Sequence, residues 1–294
     1  MDVSIIIVNY NTFAFTKAAI ESVFEKTEGI TFELILVDNN SPDGSGLRLK
    51  NFFGEKIVYI QSDENIGFGR ANNLGIGQAC GRNIFLLNPD TTLVNNAVKI
   101  LSDYLNANPK VGVCGGNLYD ENKISTHSFG RYLPSFFGEL DLLVGRNLLS
   151  IVIYGKNTSF NYTDKPIKVG FITGADMMIR KAVLDKIGVF DADFFMYYEE
   201  AELTYRIKKT GYQIHCVPQS AILHFESKSS SDEISKLKRS LAGRRTYYQK
   251  THGLLGQIVV NTVFMLTVLS RLCGYFIIGN KQKVRFFQSA WRYM

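Results

Sequence analysis

The sequence predicts an α/β protein: an open, doubly wound, mostly parallel sheet flanked by helices, followed by a helical C-terminal tail. Two observations predict it. Short β-branched apolar runs of strand length alternate with segments of helical period, the pattern of a parallel sheet buried on both faces. Most of these runs end in Asn, Asp or Gly turn chemistry, where such sheets bind ligands.

Residues 3–8 (VSIIIV) read as a buried strand, and residues 13–26 follow with a helical apolar period. Residues 32–37 (FELILV) give a second strand ending at Asp38, then a turn-rich loop and a short helix over 47–53. Residues 56–60 and 83–87 give two more strands, separated by a helix over 69–79. The fourth strand breaks at Asn88-Pro89-Asp90, and a helix is expected over 93–106, then a short strand at 111–114. Residues 117–168 show no clear period and read as an acceptor-facing insert. Regular structure resumes with a strand to Ile179, a helix over 181–187, a loop over 190–195 and a helix over 199–209 closed by Gly211. Residues 212–217 and 221–225 read as two short strands.

The chain has 294 residues, 46% hydrophobic and 20% charged, which excludes collagen-like, low-complexity and wholly disordered classes. Its four cysteines are dispersed with no C-x-x-C, so neither a zinc ribbon nor a disulfide framework is expected. The first residues lack a basic segment before their short apolar run, so a cytoplasmic protein is expected. The net charge of +6 is uneven: residues 226–294 carry 12 Lys/Arg against 3 Asp/Glu, and the rest of the chain is slightly acidic. Within this tail, residues 254–279 are almost entirely apolar, interrupted by Gln257, Asn261 and Arg271, and a basic, aromatic segment follows. That combination favours a helix lying in an anionic membrane interface over a packed core helix or a spanning one. The expected division is therefore a catalytic unit over 1–225, with halves 1–115 and 116–225, and a tail over 226–294. No nucleic-acid module is present, and nucleic acid is not an expected partner.

Several residues could carry chemistry. Asp90, in the loop after a buried strand, suits a divalent cation held against phosphate oxygens, or a helix-capping turn. Asp38 suits a nucleotide base or ribose, or an Asx-turn. Glu199, Glu200 and Glu202 crowd one helix start, where the helix dipole favours acids. Glu202 pairs with Arg206 at i+4 as a plain surface pair, whereas Glu200 has no such partner and is the better base. His224 closes an apolar run, as a core histidine or a metal ligand. The Gly67-Phe-Gly69 stretch lacks the third glycine of a dinucleotide fingerprint.

In order along the chain stand VSIIIVNYN (3–11), VDNNS (37–41), NIGFGRANNLG (65–75), LLNPDT (86–91), GADMMIR (174–180) and FDADFFMYYEEAE (190–202), then His224 with serines downstream. Together they resemble the family 2 inverting glycosyltransferases of GT-A fold, in particular the rhamnosyltransferase-like branch, over residues 3 to about 252. The resemblance implies a nucleotide-sugar donor, a glycan or lipid-linked glycan acceptor, and Mg²⁺ or Mn²⁺. It implies Asp90 and His224 as metal ligands, with Asn88 in the place of the first acid of a D-x-D motif. Glu200, with Glu199 beside it, falls where the family has its catalytic acid. Val8, Asn9, Tyr10, Asn11, Asp38, Asn65, Gly67, Arg70, Asn72, Asn88, Ala175 and Asp176 fall in donor-binding motifs, with Arg70 as a diphosphate or base contact. The branch favours dTDP-rhamnose. The alternatives are a UDP-sugar-dependent hexosyl or hexosaminyl transferase of the same fold and a catalytically silent nucleotide-binding subunit of a membrane assembly.

Overall fold

The structure, a computed structural model of the chain, describes residues 1–145, 148–225 and 233–293. The serines that follow His224 lie outside these residues. The elements are β1 (Val3–Asn9), α1 (Phe13–Lys26), β2 (Phe32–Asp38), α2 (Ser45–Phe53), β3 (Val58–Gln61), α3 (Phe68–Gln78), β4 (Asn83–Leu87), β5 (Thr91–Leu93) and α4 (Ala97–Ala107). There follow β6 (Val111–Tyr119), β7 (Phe129–Gly130), α5 (Phe136–Gly145), α6 (Leu148–Tyr154), β8 (Ile167–Lys168), β9 (Phe171–Ile172) and β10 (Asp176–Arg180). The last are α7 (Lys181–Ile187), α8 (Glu199–Lys209), β11 (Gln213–His224), α9 (Glu233–Ile277) and α10 (Lys281–Tyr293).

The main sheet has the order β3-β2-β1-β4-β10-β6-β11-β5, with β8 also on β11. It is parallel from β3 through β4, antiparallel on both sides of β10, and parallel again between β6 and β11. Every residue of β1 is buried, and strand pleating sends alternate residues to opposite faces. Ile5, Ile7, Leu34, Leu36 and Phe85 pack with α1, α2 and α4, while Ile6, Val8, Ile35, Val37 and Leu86 pack with α3, α7 and α8. The nearly continuous apolar runs of the sequence follow from this double covering, since a strand with no wet face admits a polar residue only where it is hydrogen-bonded, as Ser4 is to Glu33. The parallel strands β1, β2 and β4 end on one edge, and β10, running the other way, begins there with Asp176 beside Leu87. This edge gathers the chemistry-bearing loops.

Three expectations are corrected. Residues 91–93 form an edge strand against β11, and the helix begins only at Ala97, because Thr91 and Leu93 are drawn into register with His224 and Ile222. The two strands expected over 212–217 and 221–225 are one strand, β11, with a register shift between Cys216 and Ala221. The insert over 117–168 contains two helices, α5 and α6, whose period was hidden because their polar residues face inward.

Helix α9 is broken at Gly253, whose φ of 69° is left-handed. Arg244 donates across the break to the Val260 carbonyl (3.1 Å) and to Asn261 Oδ1 (2.8 Å), so the helix folds back as two arms. The first arm buries Tyr247 and Tyr248 with Phe194 and Ala201 in a third apolar cluster, which ties it to α8.

Two glycines of α3 predict opposite outcomes. A Cβ on Gly75 would lie 2.6 Å from Cγ2 of the fully buried Ile6, whereas a Cβ on Gly77 meets nothing within 4 Å. Gly75→Ala is expected to cost about 1–3 kcal/mol through overpacking. Gly77→Ala is expected to stabilise by about 0.5–1 kcal/mol through helix propensity. Denaturant melts of the two variants check the sign.

Candidate active site

At the ends of β1 and β2, Asn9 and Asp38 form a closed polar network. Asn9 Nδ2 donates to Asp38 Oδ1 (2.7 Å), Ser41 Oγ (3.0 Å) and Ser45 Oγ (2.8 Å), and its Oδ1 accepts from Thr12 and Thr16. Asp38 also accepts from Ser41 N–H (3.0 Å), Ser41 Oγ (2.6 Å) and Gln61 Nε2 (3.1 Å). The Asp38 carboxylate thus closes its own turn through the N–H three residues on. Both side chains are buried and bonded to one another, and they hold the loops that would face a ligand. The exposed residues there are Tyr10 and Asn11, the latter at φ 56°, a conformation asparagine tolerates. Val8, at 8% exposure, belongs to the strand core.

The next loop is fastened to the same network. Asn39 Nδ2 donates to Asn65 Oδ1 (3.0 Å) and to the Gly67 carbonyl (3.3 Å), and its Oδ1 accepts from Ile66 N–H (3.0 Å). Gly67, at φ 85°, sits so close to the Phe195 carbonyl that no side chain fits, and Phe68 N–H donates to that carbonyl (2.9 Å). Asn72 is buried and donates to the Phe68 carbonyl, a contact within its own helix.

These contacts position the segment 187–198 that leads into α8. Arg206 donates to the carbonyls of Ile187 (2.9 Å) and Val189 (2.7 Å). Asn73 bonds both backbone groups of Phe190. Lys250, from the first arm of α9, pairs with Asp191 (2.7 Å) and Asp193 (2.6 Å). Arg70 donates Nε to the Ala192 carbonyl (2.7 Å), which fastens this loop to α3. The segment ends in two consecutive left-handed residues, Tyr197 (φ 73°) and Tyr198 (φ 72°). Gly243 of α9 abuts the Tyr197 carbonyl so closely that a Cβ would overlap it.

Helix α8 opens directly after this strained turn with Glu199 and Glu200. Burial raises both carboxyls above the ordinary glutamate range, and the Glu200 charge adds to the effect on Glu199. Backbone N–H groups of the helix start pull the other way, but desolvation wins. The pair therefore binds protons more readily than exposed glutamates, as a general base requires. Glu202 is not a surface residue. Its side chain is almost fully buried, and both its oxygens accept from Arg206 at 2.8 Å, so this ion pair fixes the helix to the loop.

On the other side of β4, residues 134 positions apart meet: His224 Nε2 lies 3.4 Å from Asp90 Oδ1, and both residues are mostly buried. Pairing of β5 with β11 aligns Thr91 with His224, and Phe225 N–H donates to the Asp90 carbonyl (2.9 Å). Two cis ligands of an octahedral ion at ~2.1 Å lie about 3 Å apart, so one carboxylate and one imidazole at this spacing fit a divalent cation shared with phosphate oxygens. Among the described residues, no group of three His, Cys, Asp or Glu could hold a metal. Asn88 N–H donates to the Ala175 carbonyl (3.0 Å), closing the gap between this loop and β10.

Asp176 does not reach the surface. It is fully buried, its Oδ2 accepts from Gly116 N–H (2.5 Å), and its Oδ1 has no hydrogen-bond partner. Burial raises its pKa well above the carboxylate range, so the expectation that it contacts a donor gives way to a buried wall residue. Ala175 is likewise buried. A cavity of about 410 Å³ lies elsewhere, lined by Asn117, Phe160, Tyr162 and Gln219 among others, and by none of these residues. Sequence reasoning missed Asn39, Asn73, Gly243 and Lys250. Asn39 and Asn73 carried a signal, as members of two Asn-Asn pairs, Asn39-Asn40 and Asn72-Asn73, whereas Gly243 and Lys250 carried none.

Comparison with known proteins identifies the family. The profile of Glycosyl transferase family 2 matches residues 4–188, more than half of the chain, and the chain belongs to that family. It is 27% identical over 218 residues to the low-salt glycan biosynthesis hexosyltransferase Agl10 of Haloferax volcanii, covering 72% of this chain and 64% of that protein. It is 24% identical over 213 residues to the N-acetylglucosaminyl-diphospho-decaprenol L-rhamnosyltransferase of Mycobacterium tuberculosis, covering 67% of each. The crystal structure of GalNAc-T7 with UDP, GalNAc and Mn²⁺ superposes with a TM-score of 0.60 at 16% identity, covering 87% of this chain and 51% of that one. That likeness shows the GT-A fold.

The buried Asp176 has a direct consequence for stability. Because its folded pKa is raised, its protonated form contributes stability that is present below the unfolded value of about 3.9 and lost as pH rises toward the folded value. Asp176→Asn is therefore expected to raise Tm at pH 7 and to leave it unchanged near pH 3, as read by thermal melts across that range.

Proposed function

We propose that this family 2 glycosyltransferase moves a sugar from a nucleoside-diphosphate donor to an acceptor hydroxyl with inversion, using Glu200 as general base. The meeting of Asp90 and His224 at the carboxyl edge of the sheet carries the reading, since nothing in a plain sheet requires a carboxylate and an imidazole to share that position. The two residues would hold Mg²⁺ or Mn²⁺, which when bound supplies positive charge against a departing diphosphate. The loops held by Asn9 and Asp38 would receive the nucleotide, with Tyr10 and Asn11 as the exposed contacts.

Glu200 would take the proton of the acceptor hydroxyl as its oxygen attacks the anomeric carbon from the face opposite the leaving group. The bond from that carbon to the diphosphate oxygen breaks, and the nucleoside diphosphate leaves. The raised pKa of Glu200 brings its basicity nearer to neutral pH, where a general base is most effective. Glu199, buried behind it, would keep the pair from being fully charged. We take dTDP-rhamnose as the donor and a lipid-linked glycan as the acceptor, a reading supported by the motif pattern and by the rhamnosyltransferase relative. Residues 1–115 would serve the donor and 116–225 the acceptor, with the tail on the cytoplasmic surface of an anionic membrane.

Glu200→Gln keeps the shape and removes the base, so kcat is expected to fall about 10²–10⁴-fold while nucleotide affinity holds. The wild-type rate should rise with pH through the raised carboxyl pKa and level above it. Near-normal turnover of the variant removes Glu200 from the role. Thermal unfolding with dTDP or UDP, with and without Mn²⁺, identifies the base: saturation at about 100 Kd stabilises by roughly 2.7 kcal/mol. A metal-dependent shift with dTDP alone supports the rhamnosyl donor, and one with UDP alone replaces it. Binding without transfer or hydrolysis indicates a silent subunit.

A further inference from the structure

Helices α5 and α6 are built inside out. In α5, Glu139 and Asp141 are buried at 4% and 1% exposure, while Phe137 and Val144 stand out at 74% and 64%. In α6, Ser150 is buried and bonded to Asp141 and Tyr132, while Val152 and Ile153 are 82% and 67% exposed. A helix facing water places its charges outward and its aliphatic residues inward. Here the acids are spent internally: Glu139 accepts from Arg244 Nε (3.0 Å) and from Tyr248 Oη (3.0 Å).

The second arm of α9 shows the same surface. Its packed face carries Val260, Val263 and Val268 but also Gln257 and Thr267, and its outer stripe carries Leu254, Leu255, Ile258, Leu266 and Leu269. A helix apolar on both faces has a core on one side and a second apolar medium on the other. By length and composition α9 could cross a membrane, yet its second arm is packed lengthwise on the rest of the molecule, which suits a helix lying in the interface plane. Arg271, the charge interrupting this arm, donates to the Leu142 carbonyl of α5 (2.9 Å), so it joins the two helices instead of standing bare in the apolar stripe. Residues 254–294 contain five Lys/Arg and no Asp/Glu, and Lys281, Lys283, Arg285 and Arg292 all lie on α10 against this arm.

We propose that α5 and α6 form one docking face with the second arm of α9, and that this face seats on an anionic lipid bilayer with the cations of α10 on the headgroups. The proposal deepens the reading of the tail as membrane-bound: the tail alone does not make the contact, and the insert is half of it. The charge supports lipid over a second copy of the chain, because two copies meeting on this face would bring together cations with no acid to meet them. The face is coupled to the candidate base: Tyr248 donates to Glu139 of this layer (3.0 Å), and its neighbour Tyr247 packs with a ring separation of 5.7 Å on Tyr198, the residue that precedes Glu199. An acceptor carried on a lipid would thus reach Glu200 from the membrane side.

Full-length protein is sedimented with vesicles of phosphatidylcholine alone or with 30% phosphatidylglycerol, beside a Val152→Gln/Ile153→Gln double variant and a Lys281→Gln/Lys283→Gln/Arg285→Gln triple variant. Both changes fall on exposed positions away from the nucleotide loops, so the thermal shift with nucleotide and Mn²⁺ should be unchanged and serves as the check of fold and donor site. The expected result is preference of the wild type for anionic vesicles, an affinity loss of about tenfold or more in the α6 variant, and loss of the anionic preference in the α10 variant. If the α6 variant binds as the wild type does, the insert is not part of the face and the proposal falls, while the tail reading stands. If the wild type ignores vesicles, the proposal falls with it. A wild-type dimer in light scattering that the α6 variant converts to monomer would then assign the face to a second copy.

Discussion

The turn at Tyr197 and Tyr198 is the constraint on which the candidate site depends. Two consecutive non-glycine residues in the left-handed region cost on the order of 1–3 kcal/mol each and persist only where the surroundings over-determine them. Here the surroundings do so at nearly every residue of the preceding segment: Arg206, Asn73, Lys250, Arg70 and Phe68 each take a backbone or side-chain group between Ile187 and Phe195. The turn aims the start of α8 at the carboxyl edge of the sheet, and it does so with the dipole of that helix and the desolvation of its first two acids opposed. The site is strained where it needs to be aimed and rigid where it holds the strain.

The first arm of α9 belongs to this device. It supplies Lys250 to the loop, Gly243 to the back of Tyr197, and Tyr247 and Tyr248 to a buried cluster with Phe194 and Ala201. The tail is thus continuous with the machinery that orients Glu199 and Glu200. Through Arg244 and Glu139 it also reaches the insert, so the outward aliphatic surface and the candidate base are two sides of one packed layer. An enzyme that takes an acceptor from a membrane gains from such coupling, because the distance from surface to base is set by packing rather than by a linker.

Much of the fold was legible in the sequence. β1, β2 and β4 were readable because a strand covered on both faces is apolar at most positions, and α1 and α8 were readable from their period and ends. Asp90, His224 and Glu200 were readable as types in an ordered set of motifs. Less legible were features that depend on what a residue meets. The three-residue β5 is too short to carry a period and exists because β11 pairs with it. The period of α5 and α6 was hidden because it is inverted, and a reading that assumes water outside cannot see it. The intramolecular partners of Asn9, Asp38 and Arg70 were also hidden, since a sequence names donors and acceptors without saying which other segments meet them.

The sequence by itself determined the alternation of strands and helices, the carboxyl-edge positions of Asn9, Asp38 and Asp90, the acids at the start of α8 and the charge asymmetry of the tail. These are local properties, set by period, propensity and spacing within a few residues. Tertiary structure alone decided that Asp90 meets His224, that Asp176 is fully buried, that α9 folds back at Gly253 and that α5 and α6 turn their aliphatic faces outward. Each of these rests on contacts between segments far apart in the chain, where burial and hydrogen-bond partners are fixed by which surfaces pack together and not by which residues adjoin.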